Sequence, residues 1–168
     1  MPARILSLAV VAALTLAGST AAQDRTKHRI SGTARAAPVK LTGTLPNVSA
    51  TLAGTLRLNG GIRGAFVSRV KYAGSSAANV LDFRGSFAAF GPHGSLSGNS
   101  RGHVTVVTAN SVRLAGTLTV TRGTDIYSGA RGKLHISANV TIPAPVPGVP
   151  IVLSPRGTPV KLRGTITY

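Results

Sequence analysis

One phrase is written four times in this chain: VKLTGTL from Val39 to Leu45, TLAGTLRL from Thr51 to Leu58, VRLAGTLTV from Val112 to Val120, and VKLRGTITY from Val160 to Tyr168. Each copy alternates apolar with polar residues. In extended backbone successive side chains point to opposite faces, so each copy presents one apolar face and one face of hydroxyls and cations. Each also sets a glycine on its apolar face, at Gly43, Gly54, Gly116 or Gly164. Glycine weakens a strand, and its recurrence on the inward side points to sharp coiling or to close approach across a narrow interior, as closing a small barrel requires. The copies are irregularly spaced, which excludes a solenoid.

The same alternation runs through the rest of the chain. Phe66, Val70 and Tyr72 alternate with Val67, Arg69 and Lys71; Leu81, Phe83, Gly85 and Phe87 alternate with Asp82, Arg84 and Ser86; Leu134, Ile136, Ala138, Val140 and Ile142 alternate with Lys133, His135, Ser137, Asn139 and Thr141. A shorter strand is expected between His103 and Val107. Asn59-Gly60-Gly61, Gly91-Pro92-His93-Gly94 and Arg122-Gly123-Thr124-Asp125 mark turns. No stretch after the first 22 residues sustains a helical period. The pattern predicts an all-β chain, a closed antiparallel barrel of about eight strands, with a β-sandwich as the alternative.

The first 22 residues have another character. A basic Arg4, an apolar run from Ile5 to Ala17 and a small-residue exit through Gly18, Ser19, Thr20, Ala21 and Ala22 make the three-part pattern of a secretory signal peptide. The expected product is secreted or extracytoplasmic, in a periplasm or cell envelope, and 146 residues long, enough for one core. With no cysteine in the chain, that core must supply the stability without disulfides. Residues 23–35 read as a basic, flexible N-terminal arm, 36–168 as a single barrel domain, and 143–159 as a proline-rich loop whose prolines forbid a central strand.

Gly85-Ser86-Phe87, GSLSG at Gly94 to Gly98, VRLAGTLTVTRGTDIYSGARGKLHI and RGTITY together resemble the allene oxide cyclase and dirigent superfamily of eight-stranded antiparallel barrels. The resemblance covers residues 85–168 and centres on a turn signature held here by Gly123, Thr124, Asp125, Tyr127, Ala130 and Gly132. Asp125 stands where that pattern has a second glycine; aspartate tolerates left-handed backbone better than most residues, so the turn is expected to survive. The resemblance implies an interior cavity that receives a small apolar substrate. It does not carry the cyclase chemistry across, because that chemistry uses a buried glutamate and this chain has none.

The charges are lopsided: 19 Lys and Arg stand against 3 acids, a net charge of +16 that falls to +15 once Arg4 leaves with the signal peptide. Such a surface attracts anionic polymers in a salt-dependent way. The acids are Asp24, Asp82 and Asp125, and the register puts Asp82 on the outer face with Arg84, away from any interior chemistry. The histidines, His28, His93, His103 and His135, lack metal-ligand spacing, and no cofactor motif or nucleophile elbow is present. No catalytic residue, metal or cofactor is therefore assigned. The leading expectation is a non-enzymatic binding or envelope-associated protein. It would hold a small apolar ligand against Phe66, Tyr72, Phe83 and Phe87 in its interior, or an anionic envelope polymer on Arg25, Lys27 and Arg29 of the arm, or both. The alternatives are a cyclase- or dirigent-like barrel and a small outer-membrane barrel. Aromatics at 4% are too few for two interfacial girdles, and sequence-specific nucleic-acid binding is not expected because exposed aromatics for base stacking are missing.

Overall fold

The computed structural model describes residues 25–44, 46–141 and 157–168. Eight strands follow one another in the chain: β1 (Lys27–Thr44), β2 (Asn47–Leu58), β3 (Arg63–Gly74), β4 (Val80–Gly91), β5 (Gly94–Thr108), β6 (Ser111–Gly123), β7 (Arg131–Thr141) and β8 (Thr158–Thr167). Each pairs antiparallel with the next, and β8 returns to pair with β1 from Lys27 opposite Thr167 to Ala36 opposite Thr158. The sheet is a closed barrel, and the sandwich alternative is excluded.

Alternation sets what lies inside. Phe66, Ser68 and Val70 on β3, Phe83, Phe87 and Ala89 on β4, and Leu162 and Ile166 on β8 are buried, while the residues between them are more exposed. Ile30, Leu162, Ile166 and Val120 are almost wholly buried; sequestering side chains of this size contributes about 1.5–3 kcal/mol each. The larger core cluster joins these to Leu58, Leu96 and Phe66 and reaches the barrel end that carries the β2–β3, β4–β5 and β6–β7 connections. A smaller cluster of Ala50, Val70 and Phe83, with Leu52, Tyr72, Val104 and Leu114 packed on it, lies toward the other end.

The signature turn seals the first end. A 3-10 turn, Asp125–Tyr127, follows β6, and its Tyr127 is 2% exposed with Ala130 fully buried beside it. Tyr127 meets Tyr168 edge-on with ring centroids 5.1 Å apart, and Tyr168 in turn stacks on His28 at 4.2 Å. Asp125 adopts φ +53°, the left-handed conformation expected of it. The Thr124 hydroxyl donates to its carboxylate at 2.9 Å and accepts from the Ser95 N–H at 3.0 Å, which ties the turn to β5.

The inward glycines answer to crowding by neighbouring backbone. A methyl placed on Gly54 would collide with the Arg35 carbonyl, on Gly85 with that of Arg69, and on Gly164 with that of Lys133. At the cross-strand pair Gly102 and Gly116 the ring of Phe83 lies against the bare backbone as well. Coiling against the adjacent strand therefore accounts for most of these glycines, and approach from within the barrel only for the last pair. Gly43 is different: it lies beyond the bulge between Pro38 and Lys40, near the end of β1, at φ +93°.

Three boundaries differ from the sequence expectation. Residues 27–35, read as part of a flexible basic arm, belong to β1, with Ile30 and Ala34 buried and Lys27, Arg29 and Arg35 exposed. Cations on one face are no obstacle to a strand whose other face is apolar or small. Thr26 continues the pairing through two backbone hydrogen bonds with Tyr168. Strand β5 begins at Gly94 rather than near His103, because its inward positions Gly98, Ser100 and Gly102 are too small to register as an apolar face. Thr158 and Pro159, placed in the proline-rich loop, open β8; proline is tolerated at a strand start. The rest of that loop, 143–156, the signal peptide, 1–22, and positions 23 and 24 lie outside the described residues.

Gly116→Ala tests the crowding directly. The new methyl would sit 2.5 Å from the Arg101 carbonyl oxygen and 2.9 Å from Phe83 Cζ, and such overpacking is expected to cost about 1–3 kcal/mol in chemical denaturation. Ala115→Gly, one position along, should lack that signature.

Candidate functional site

Between the two core clusters the barrel interior holds a partly open cavity of about 60 Å³. Its wall is hydrocarbon from Leu52, Val70, Leu114, Leu118, Ile136 and Leu162, with the rings of Phe66, Phe83 and Tyr72. The four aromatic residues expected inside do all belong to inward positions, but they divide. Phe66, Tyr72 and Phe83 line the cavity, whereas Phe87 packs behind Phe66 at a centroid distance of 6.5 Å and stays in the larger core cluster. Tyr72 and Phe83 pack at 6.0 Å with their planes tilted by 55°.

Two serines, which the sequence reading did not single out, supply the polar groups. Ser68 and Ser100 are 4% and 5% exposed and both line the cavity. The Ser68 hydroxyl donates to the Ser86 carbonyl at 3.0 Å, so its own hydrogen is used and only its lone pairs face outward from that bond. Ser100 Oγ has no hydrogen-bond partner within the protein, and among the described residues it is the buried side-chain polar atom left in that state. A buried hydroxyl without a partner costs about 1–3 kcal/mol. Both serines stand at inward positions of their strands, which register counting from Phe66 or Gly98 would have shown.

The chemistry on offer is limited to hydroxyls. Tyr72 also lines the cavity, and burial raises its phenol above the ordinary tyrosine range. Asp82 is exposed on the outer face, as its register predicts, opposite His103. Asp125 is exposed in the end turn. His93 lies in the β4–β5 turn, far along β5 from His103, and no group of three or more metal-ligating side chains forms among the described residues.

The cations face outward. Lys27 and Arg29 project from β1 opposite Thr167 and Thr165, and Arg25 precedes the strand with its guanidinium beside Gly129. These three sit on the barrel wall near its sealed end instead of on a free arm.

The buried phenols have a measurable consequence. Burial, and for Tyr127 also the neighbouring Tyr168, raises the pKa of Tyr72 and Tyr127 above 10.0. The folded state then holds protons that the unfolded chain releases, so this contribution is complete below pH 10 and is lost as pH rises through the raised values. Phenolate absorbance should show the two tyrosines ionising later than tyrosine in the denatured chain, and stability should fall above about pH 10. Tyr72→Phe should weaken that alkaline loss.

Compared with models of protein families, with curated proteins and with solved structures, the chain finds no match in any of the three.

Proposed function

We propose that this protein is an exported, non-enzymatic binding barrel of the allene oxide cyclase and dirigent kind, which holds a small, largely apolar molecule with one polar group set against Ser100. The observation that carries the reading is the Ser100 hydroxyl, without a partner in the protein, on the wall of a cavity lined chiefly by hydrocarbon. A buried water needs about 10–15 Å³ and two to four polar partners. The cavity, at about 60 Å³, exceeds the first requirement, and on its wall Ser68 already spends its hydrogen on Ser86, which leaves Ser100 with hydrogen and lone pairs both on offer. A ligand that answers Ser100 with one acceptor and fills the remaining space with carbon suits both conditions. The apolar leader and small-residue exit at residues 1–22 support export.

The absence of a carboxylate or imidazole from the lining favours binding over catalysis, since acid and base chemistry draws on such groups. The outward positions weigh against a lipid-embedded barrel. They carry Arg69, Lys71, Arg84, Arg101, Lys133 and Arg163, where a membrane face needs an apolar band.

Titration with acetone and its longer methyl-ketone homologues tests the reading. Acetone is expected to shift the methyl resonances of Val70 and Leu118, and affinity should rise with chain length until the cavity is full. Ser100→Ala should weaken acetone about fivefold, the loss of one hydrogen bond of ~1 kcal/mol. It should leave xenon binding unchanged and leave the thermal midpoint equal or higher. Unmoved methyl resonances, or an acetone affinity indifferent to Ser100→Ala, would overturn it.

A further inference from the structure

The outer wall carries a pattern that the interior does not explain. Following cross-strand partners from β2 around the barrel gives one row: Ser49, Lys71, Arg84, Arg101, Thr117, His135, Arg163 and, on β1, Ser31. Lys71, Arg84 and Arg101 are therefore direct neighbours on three successive strands, and all three are exposed. Side chains opposite one another across strands lie about 4.5–5.5 Å apart, where like charges repel and destabilise the sheet. A fold would gain by placing acids between them, yet among the described residues the acids are Asp82 and Asp125, and Asp82 alone borders the row. A multivalent anion laid along the row would turn the repulsion into attraction.

The relief of the surface suits a chain-like ligand. Two open grooves, of about 880 and 620 Å³, share Asp82 and Arg84 and so run together across the strands, along the row. They lie where the inward positions are Gly85, Gly102 and Gly116. One step along the strands runs a second row, Arg69, Ser86, Asn99 and Thr119, in which one cation is followed by three neutral hydroxyl and amide groups. Cations on one track and, past Arg69, neutral hydrogen-bonding groups on the next match a polymer that carries both carboxylates and hydroxyls. Nucleic acid is matched less well, because its bases call for stacking aromatics and this stretch of the two rows offers none.

We infer that the outer groove over β2 to β6 is a binding surface for an acidic polysaccharide, with Lys71, Arg84 and Arg101 as its charge-reading residues. The two arginines receive carboxylates in bidentate fashion and Lys71 acts as a point charge. The polymer crosses the strands, so that successive carboxylates meet successive strands. Its three charge-reading residues take no part in lining the interior cavity, so the assignment stands or falls without it.

The test compares two variants of equal charge in the full folded protein. Lys71→Gln with Arg84→Gln and Arg101→Gln empties the row; Arg57→Gln with Arg63→Gln and Arg122→Gln removes three exposed cations elsewhere. With polygalacturonate at low salt, the first is expected to lose affinity at least about tenfold. The slope of log affinity against log salt should also flatten by roughly three, about one per cation removed. The second variant should lose only a small part of this. In the absence of polymer the first should melt at a higher temperature than the parent, since opposed charges have been relieved. Should either triple variant fold poorly, amide shift mapping on the parent protein decides the matter: shifts confined to β3, β4 and β5 support the assignment, and shifts elsewhere overturn it. Equal losses in both variants would mean that net charge alone governs binding. Tighter retention of poly(dT) than of polygalacturonate would point to nucleic acid, and no retention at low salt would mean no anionic polymer; each of these overturns the proposal.

Discussion

Closure of a small sheet on itself is the constraint from which the rest of this structure follows. Eight strands that must return to the first have to coil hard, and coiling brings the inward position of one strand against the carbonyl of the next. Gly54, Gly85 and Gly164 relieve that crowding, each at a place where a methyl would collide with backbone. The glycines also thin the inward wall. The space they leave is taken by a few large side chains, Phe83 over the Gly102–Gly116 pair above all, and where the large side chains do not meet, the small cavity beside Ser100 remains.

The outside is shaped by the same events. The two grooves lie over inward glycines and are lined by residues whose register on three neighbouring strands is fixed by the ladder. A cation on a lone surface loop can move away from its neighbours. Lys71, Arg84 and Arg101 start from adjacent backbone positions about 5 Å apart and can only splay their ends. Interior packing and surface charge are thereby coupled through strand register, and Val70, Phe83 and Ile136 border both the cavity and the grooves.

The barrel itself was legible because its signals are periodic: alternation gave the inward set, and the recurring glycines gave closure. The register of Asp82 followed from the same alternation, whereas the left-handed conformation at Asp125 was expected from the turn signature of the resemblance. What escaped notice were the places where small or polar residues occupy inward positions. Ser68 stands between Phe66 and Val70, and Ser100 between two glycines, so neither looks like part of an apolar face although both are buried. Strand β1 was obscured in the opposite way, its cations outweighing Ile30 and Ala34 in a reading by composition. The cation row could not be seen at all in one dimension, since Lys71, Arg84 and Arg101 become neighbours only through pairing.

The β1–β8 seam bears on how the molecule assembles. Seven of the eight pairings join consecutive strands and can form as hairpins, but Lys27 must find Thr167 across nearly the whole chain. Such a contact closes the longest loop of the sheet and carries the greatest loop-closure entropy. Until it forms, β1 and its eventual partner are bare sheet edges, the kind of template on which neighbouring chains aggregate. Lys27, Arg29 and Arg35 on one edge, with Lys161 and Arg163 on the other, make each edge repel a second copy of itself. The cations of the first strand thus guard the interval before the circle is complete.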